Sequence, residues 1–223
     1  TGVRIPLGSL KGVILMIICV PLLLAVQPFE YQPIDVVAAT TLSFEYQVAL
    51  QPTEDTDEQE LVEAPSTWGT KDTWRWSIQG GYAEDVKDSS NTISIIGAEF
   101  DYFLEEDLSL DLGFNGLDID QDGPSVGGLN FTLQLRWHFI NNDNWSMFME
   151  GGAGLLRTSQ KVPSSGSRFN FTPQAGLGFT FDIGHQNRWL VGVKWHHISN
   201  ANIYETNPGR DSIMVWTGIS FPF

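Results

Sequence analysis

From about residue 70 to the C-terminus, apolar and polar side chains alternate with a period of two. Successive side chains of a strand point to opposite faces, so this pattern predicts extended backbone with one apolar face. Leu129, Phe131, Leu133, Leu135, Trp137 and Phe139 alternate with Asn130, Thr132, Gln134, Arg136 and His138. Phe169, Phe171, Ala175, Leu177, Phe179 and Phe181 do the same against Asn170, Thr172, Gln174, Gly176, Gly178 and Thr180. Soluble strands average about five or six residues. Strands that cross a bilayer need about 9–11, tilted, with the apolar face outward. The alternation predicts eight such strands, over about 72–83, 92–104, 107–119, 128–140, 144–157, 168–183, 187–199 and 211–223. An even number that closes on itself leaves no unpaired edge in lipid. The expected fold is all-β, an eight-stranded antiparallel transmembrane β-barrel over residues 70–223 with a disordered N-terminal extension. Pro173 has no N–H for a ladder, so a local bulge is expected there.

The connections give this barrel a polarity. Those after the second, fourth and sixth strands are short, near Glu105, Asn142 and His185. The others are longer, as from Gln160 to Gly166 and from Asn200 to Arg210. Outer-membrane barrels have short periplasmic turns and longer external loops. Both barrel termini are therefore expected on the periplasmic side, and the closing Phe221-Pro222-Phe223 is similar to the terminal assembly signal of such proteins. An eight-stranded barrel is just wide enough for side chains to fill it. Arg75, Glu99, Asp101, Asp111, Arg136, Glu150 and Lys194 fall on the inward face, which predicts a charge-paired plug without a pore.

The first 69 residues lack this period. Arg4 and Lys11 precede an apolar run from Val13 to Val26, interrupted by Pro21. The run is shorter than the roughly 20 residues of a membrane-spanning helix, so residues 1–26 are expected to be a secretory signal peptide. Residues 27–69 carry Glu54, Asp55, Asp57, Glu58, Glu60 and Glu63 and are expected to form an acidic flexible extension. The formal net charge of -15, from 12 Lys+Arg against 27 Asp+Glu, argues against a nucleic-acid partner. The one cysteine, Cys19, lies in the leader, so neither a disulfide nor thiol chemistry is expected in the mature chain. Asp118-x-Asp120-x-Asp122-Gly123 resembles the first half of a calcium loop, but Leu129 stands where such a loop requires a bidentate Glu, and His138 and His185 show no metal-ligand spacing, so no metal or cofactor is expected.

One constellation breaks the pattern. In the seventh strand Trp189, Val191, Val193 and Trp195 occupy the lipid-facing parity, which continues to His197 and Ser199. Asp211 shares parity with the outward Ile213, Val215, Ile219 and Phe221 of the last strand. All three should project toward lipid at the external rim, where polar groups are costly and usually functional. Residues two apart on a strand share a face, so His197 can reach Ser199 and activate it as a nucleophile. Asp211 can hold the imidazole as in a Ser-His-Asp triad. Asn200 and Asn207 can supply amide donors to a developing oxyanion, and Gly209 allows close approach of the loop. The same residues are also what a strand acquires where it leaves the membrane, and parity alone leaves that reading open. A non-catalytic barrel, either structural or an adhesin, and an outer-membrane phospholipase are the alternative functions.

Trp195-His196-His197-Ile198-Ser199-Asn200-Ala201-Asn202 and Asn207-Pro208-Gly209-Arg210-Asp211 together resemble the lipid A 3-O-deacylase family. The shared core is H-x-S-N-A followed by a loop with N-x-G and an acidic residue. Phe171-Thr172-Pro173-Gln174-Ala175-Gly176-Leu177-Gly178 is similar to the family's sixth strand. The resemblance covers roughly residues 70–223 and is specific over about 169–216. It implies a bacterial outer-membrane esterase that hydrolyses the 3-O-linked acyl chain of lipid A from a lipid-facing site. The partner it implies is the lipopolysaccharide of the outer leaflet, and a homodimer is one assembly left open. By resemblance, His197 is the base, Ser199 the nucleophile and Asn207 the oxyanion donor. Asp211 stands where the best-known members have Glu, one methylene longer, so a longer contact with His197 or a shifted backbone is expected.

Overall fold

In the computed structural model, residues 68–223 are described; the expected leader and the acidic extension up to residue 67 lie outside them. Nine strands are assigned: β1 (Trp74–Asp85), β2 (Thr92–Glu105), β3 (Leu108–Asp120), β4 (Val126–Asn141), β5 (Trp145–Val162), β6 (Ser167–Phe171), β7 (Gln174–Asp182), β8 (Arg188–Ile198) and β9 (Arg210–Pro222). Each pairs antiparallel with its neighbour, and β1 closes the ring on β9 through pairs such as Trp76↔Phe221 and Tyr82↔Val215. β6 and β7 together make one crossing. Both pair with β5 in one continuous register, Leu155↔Phe171 then Gly152↔Gln174, with Gly154 and Thr172 exchanging backbone hydrogen bonds between them. The result is a closed eight-stranded barrel.

Pro173 interrupts the ladder without the expected bulge. The register is unchanged on either side of it, both toward β5 and toward β8, where Gln174 pairs with His196 and Phe171 with Ser199. Pro173 still accepts a hydrogen bond from the His197 N–H at 3.0 Å. Lacking an N–H, it returns none, and only one ladder bond is lost. The bulges lie elsewhere, at Phe103/Glu105, His138/Ile140 and Arg157/Val162.

The outward face is apolar, with Ile78, Ile96, Leu129, Leu155, Val193 and Val215 exposed along the wall. Toward the rim that carries the short turns it becomes aromatic. Trp74 packs on Tyr102, Trp76 on Phe221 and Phe181 on Trp189, the belt expected where a barrel meets the membrane interface.

The interior is filled in three layers. At the short-turn end Trp68 is buried, edge-on to Phe103 and His138, with the Arg75 and Arg188 guanidinium groups 4.8 and 5.1 Å from its ring. In the middle, Arg136 reaches Glu99 at 2.7 Å, Glu150 at 3.0 Å and Asp111 at 3.3 Å, and Lys194 meets Glu150 at 3.2 Å. Of the expected inward charges, Glu99, Asp101, Asp111, Arg136, Glu150 and Lys194 are buried here and paired or clustered, while Arg75 is buried at the short-turn end. At the long-loop end the lining turns apolar, with Ile93, Ile119, Val126, Leu156, Val162 and Ile198 in one cluster. Ile198 lies in chain order between the two outward residues of interest, His197 and Ser199, and anchors that strand end into the core.

Candidate active site

β8 alternates buried and exposed residues to its end, and the alternation puts His196, Ile198 and Asn200 inward and Trp195, His197 and Ser199 outward. His197 and Asp211 are direct cross-strand partners on β8 and β9. Their side chains meet on the outer surface, His197 Nδ1 to Asp211 Oδ1 at 2.7 Å, each about a quarter to a third exposed. The carboxylate can only accept, so Nδ1 is the donor, and in the neutral imidazole Nε2 keeps its lone pair. The shorter Asp211 reaches His197 at ordinary hydrogen-bond length, because the two residues are cross-strand partners.

Trp195 supports this pair twice. Its Nε1–H donates to the same Asp211 Oδ1 at 2.9 Å, and its ring stacks on His197 with centroids 5.6 Å apart. Gly209 closes the other side. Its φ is +61°, and a Cβ there would stand 3.3 Å from His197 Cε1 and 3.8 Å from Nε2. Glycine is what lets the loop lie against the imidazole.

Ser199 falls one residue beyond β8, on the same face as His197, and is tied to Phe171 by reciprocal backbone hydrogen bonds of 2.7 and 3.1 Å. Among the described residues its hydroxyl has no hydrogen-bond partner. Such contacts commonly tighten only once substrate is bound. The chain then turns sharply, with Ala201 and Asn202 at φ +51° and +62°.

The two asparagines divide the work differently from the expectation. Asn200 is buried, and its amide donates to Ser167 Oγ at 3.1 Å and Thr206 O at 2.7 Å while its Oδ1 accepts from Asn202 N at 3.0 Å. Its side chain builds the loop and has no donor left for an oxyanion. Asn207 Oδ1 accepts the Asn200 backbone N–H at 2.9 Å. That bond fixes which end of the Asn207 amide faces inward and leaves its NH₂ group available as a donor.

Sequence reasoning missed Trp195 as part of the site and Asn200 as its builder. The first had a signal, since Trp195 shares parity with His197. The second depends on contacts with Ser167 and Thr206 that no spacing along the chain reveals. Glu99, Asp101 and Asp111 are close enough together inside the barrel to suggest a metal site. Arg136 reaches all three at 2.7 to 4.0 Å and supplies the positive charge there.

Residues 62–220 match the family model described as lipid A 3-O-deacylase (PagL). The chain belongs to the lipid A 3-O-deacylase (PagL) family. As a member it is an outer-membrane β-barrel of a hydrolase class that deacylates lipid A. Its fold is similar to the crystal structure of the outer membrane enzyme PagL, with a TM-score of 0.56 at 20% identity, over 66% of this chain and 99% of that one. It also resembles the N-terminal β-barrel domain of Pseudomonas aeruginosa OprF, with a TM-score of 0.47 at 14% identity, over 68% of this chain and 98% of that one. No curated protein matches the chain in sequence. The family match spans every residue singled out at the rim, from Trp195 to Asp211.

Proposed function

We propose that this chain hydrolyses the 3-O-linked acyl ester of lipid A with Ser199 as nucleophile, His197 as base and Asp211 as the group that orients it. The observation that carries the reading is the 2.7 Å His197–Asp211 pair on the lipid-facing surface, with Ser199 two residues along on the same face. A structural barrel gains nothing from an ion-pairing group in that position, where polar side chains are costly.

In the proposed reaction the acyl chain lies along the apolar barrel wall and brings its ester to the rim. Ser199 Oγ attacks the carbonyl carbon as His197 Nε2 takes the hydroxyl proton. Asp211 stabilises the imidazolium that results and holds its tautomer. Negative charge develops on the carbonyl oxygen, where the Asn207 NH₂ group is the side-chain donor within the loop. Collapse breaks the ester bond, and His197 returns the proton to the departing sugar 3-hydroxyl. Water, deprotonated by the same imidazole, then attacks the acyl-serine, and His197 passes that proton to Ser199 Oγ as it leaves, which releases a fatty acid and restores the site. The rim with the long loops faces the cell exterior on this reading, because the termini and short turns occupy the opposite one.

The reading is tested with a fluorophosphonate, which phosphonylates active serines with loss of fluoride. Folded protein in detergent micelles should be labelled at Ser199 alone, and labelling should abolish fatty-acid release from lipid A. Labelling that is absent, or release that survives complete labelling, contradicts the mechanism.

A further inference from the structure

Beside the candidate active site, the β5–β6 hairpin and the loop 199–209 enclose an open groove of about 580 Å³. Arg157, Lys161, Arg168 and Phe169 form its hairpin side, and Tyr204 and Glu205 its loop side. Three cations together are unexpected in a chain with 12 Lys+Arg against 27 Asp+Glu. Lys71, Arg136, Lys194 and Arg210 each meet a carboxylate. Among the described residues Arg157, Lys161 and Arg168 meet none within 4.0 Å, and Arg168 bonds only the neutral Gln160 amide oxygen, at 3.1 Å. Like charges held close repel one another, so an unneutralised cluster is a cost to the fold. Glu205 opposes one of the three charges and leaves the groove positive.

The groove is tied to the site. Thr206 Oγ1 donates to Ser165 O at 2.7 Å, Asn200 Nδ2 to Ser167 Oγ at 3.1 Å, and Phe171 pairs with Ser199. Arg157 pairs with Phe169, two residues up from Phe171 and two strands away from Ser199. Strands lie about 4.8 Å apart with a rise of about 3.3 Å per residue, so the two backbones are roughly 12 Å apart. The arginine side chain shortens that gap, and a disaccharide headgroup spans it.

We propose that this groove is a phosphoryl-binding subsite in which Arg157, Lys161 and Arg168 take a phosphate of the glycolipid headgroup and so set the acyl ester over Ser199. The inference rests on the lipid A reading of the site, lipid A being a phosphorylated disaccharide. Guanidinium groups hold phosphate through two parallel hydrogen bonds, and Lys161 adds a point charge. The acidic remainder of the protein repels an anionic headgroup, so the groove also selects where it approaches.

The test is binding to the full chain in detergent micelles, with Ser199→Ala so that substrate is not consumed. The probes are bis-phosphorylated lipid A, the same lipid with both phosphates removed, and inorganic phosphate as competitor. The phosphorylated lipid should bind at least about tenfold tighter, which is about 1.4 kcal/mol. The combined Arg157→Gln, Lys161→Gln and Arg168→Gln substitutions should erase that preference without altering binding of the dephosphorylated lipid. Arg157→Lys with Arg168→Lys should retain most of it. Heat-dependent electrophoretic mobility reports whether each variant is a folded barrel. Equal binding of both lipids by a folded chain overturns the proposal. Full displacement by inorganic phosphate with no preference between the lipids overturns it too, by assigning the groove to the free ion. A chain that shows the preference but, with Ser199 intact, releases no fatty acid keeps the groove and overturns the deacylase reading.

Discussion

At the scale of single residues the site is a pair with a scaffold. Asp211 Oδ1 accepts from both His197 Nδ1 and Trp195 Nε1, so one carboxylate oxygen fixes an imidazole and an indole together. Asp211→Asn keeps the shape and removes the charge, and the amide can present its NH₂ group to Nδ1 and turn the tautomer the wrong way. In a comparable serine triad that change lowers kcat by about 10⁴. Here a fall of roughly 10²–10⁴ in fatty-acid release is expected, read in micelles with the barrel shown to be folded. A rate within about threefold of the parent would remove Asp211 from the mechanism; tenfold is 1.36 kcal/mol of barrier. The outward placement of His197, Ser199 and Asp211 on one face was legible in the sequence, because period two carries one parity from Trp189 to Ser199 and from Asp211 to Phe221. Asn200 was misread because its polarity and position fit a donor. Only its contacts show that its inward parity commits the amide to Ser167 and Thr206.

At the scale of elements, the strand end is what positions Ser199, the proposed nucleophile. Ile198 is fully buried among the apolar residues at the long-loop end, while His197 and Ser199 on either side face out. Ile198→Ala should therefore loosen the site through the core. Burial losses of this kind cost about 2–5 kcal/mol. The denaturant midpoint of the folded barrel should drop accordingly, and activity should fall with it. An unchanged midpoint would mean that the apolar cluster does not hold this strand end. The strands themselves were legible to within a few residues, since lipid on one side and a filled interior on the other impose strict alternation. The break at Pro173 was foreseen but its form was not. Whether a missing N–H makes a bulge or only a gap depends on the pairing of β5 and β8 around it, which a single strand's pattern does not contain. The cationic hairpin was missed for the same reason, since Arg157, Lys161 and Arg168 meet only when β5 folds back on β6.

For the whole molecule, the barrel is a solid peg. Trp68 closes one end, the Arg136 network fills the middle and an apolar cluster fills the other end. The inward charges were readable from parity, but their arrangement around one arginine was not. Arg136→Met leaves Glu99, Asp111 and Glu150 without their shared cation. Removing one partner from a buried ionic group is destabilising by about 3–5 kcal/mol. The variant should lose heat-resistant mobility at a lower temperature than the parent, and equal resistance would show that the carboxylates do not depend on Arg136. Because the interior is filled, chemistry is left to the outer wall, where an apolar surface for acyl chains meets a polar rim.

The most direct measurement is the mass of lipid A extracted from cells expressing the parent chain or its Ser199→Ala variant, each shown to be folded in the outer membrane. Loss of one 3-hydroxyacyl chain from the 3-position is expected with the parent, and an unaltered spectrum with Ser199→Ala. An unaltered spectrum with both, or the same loss with both, would contradict the proposed mechanism.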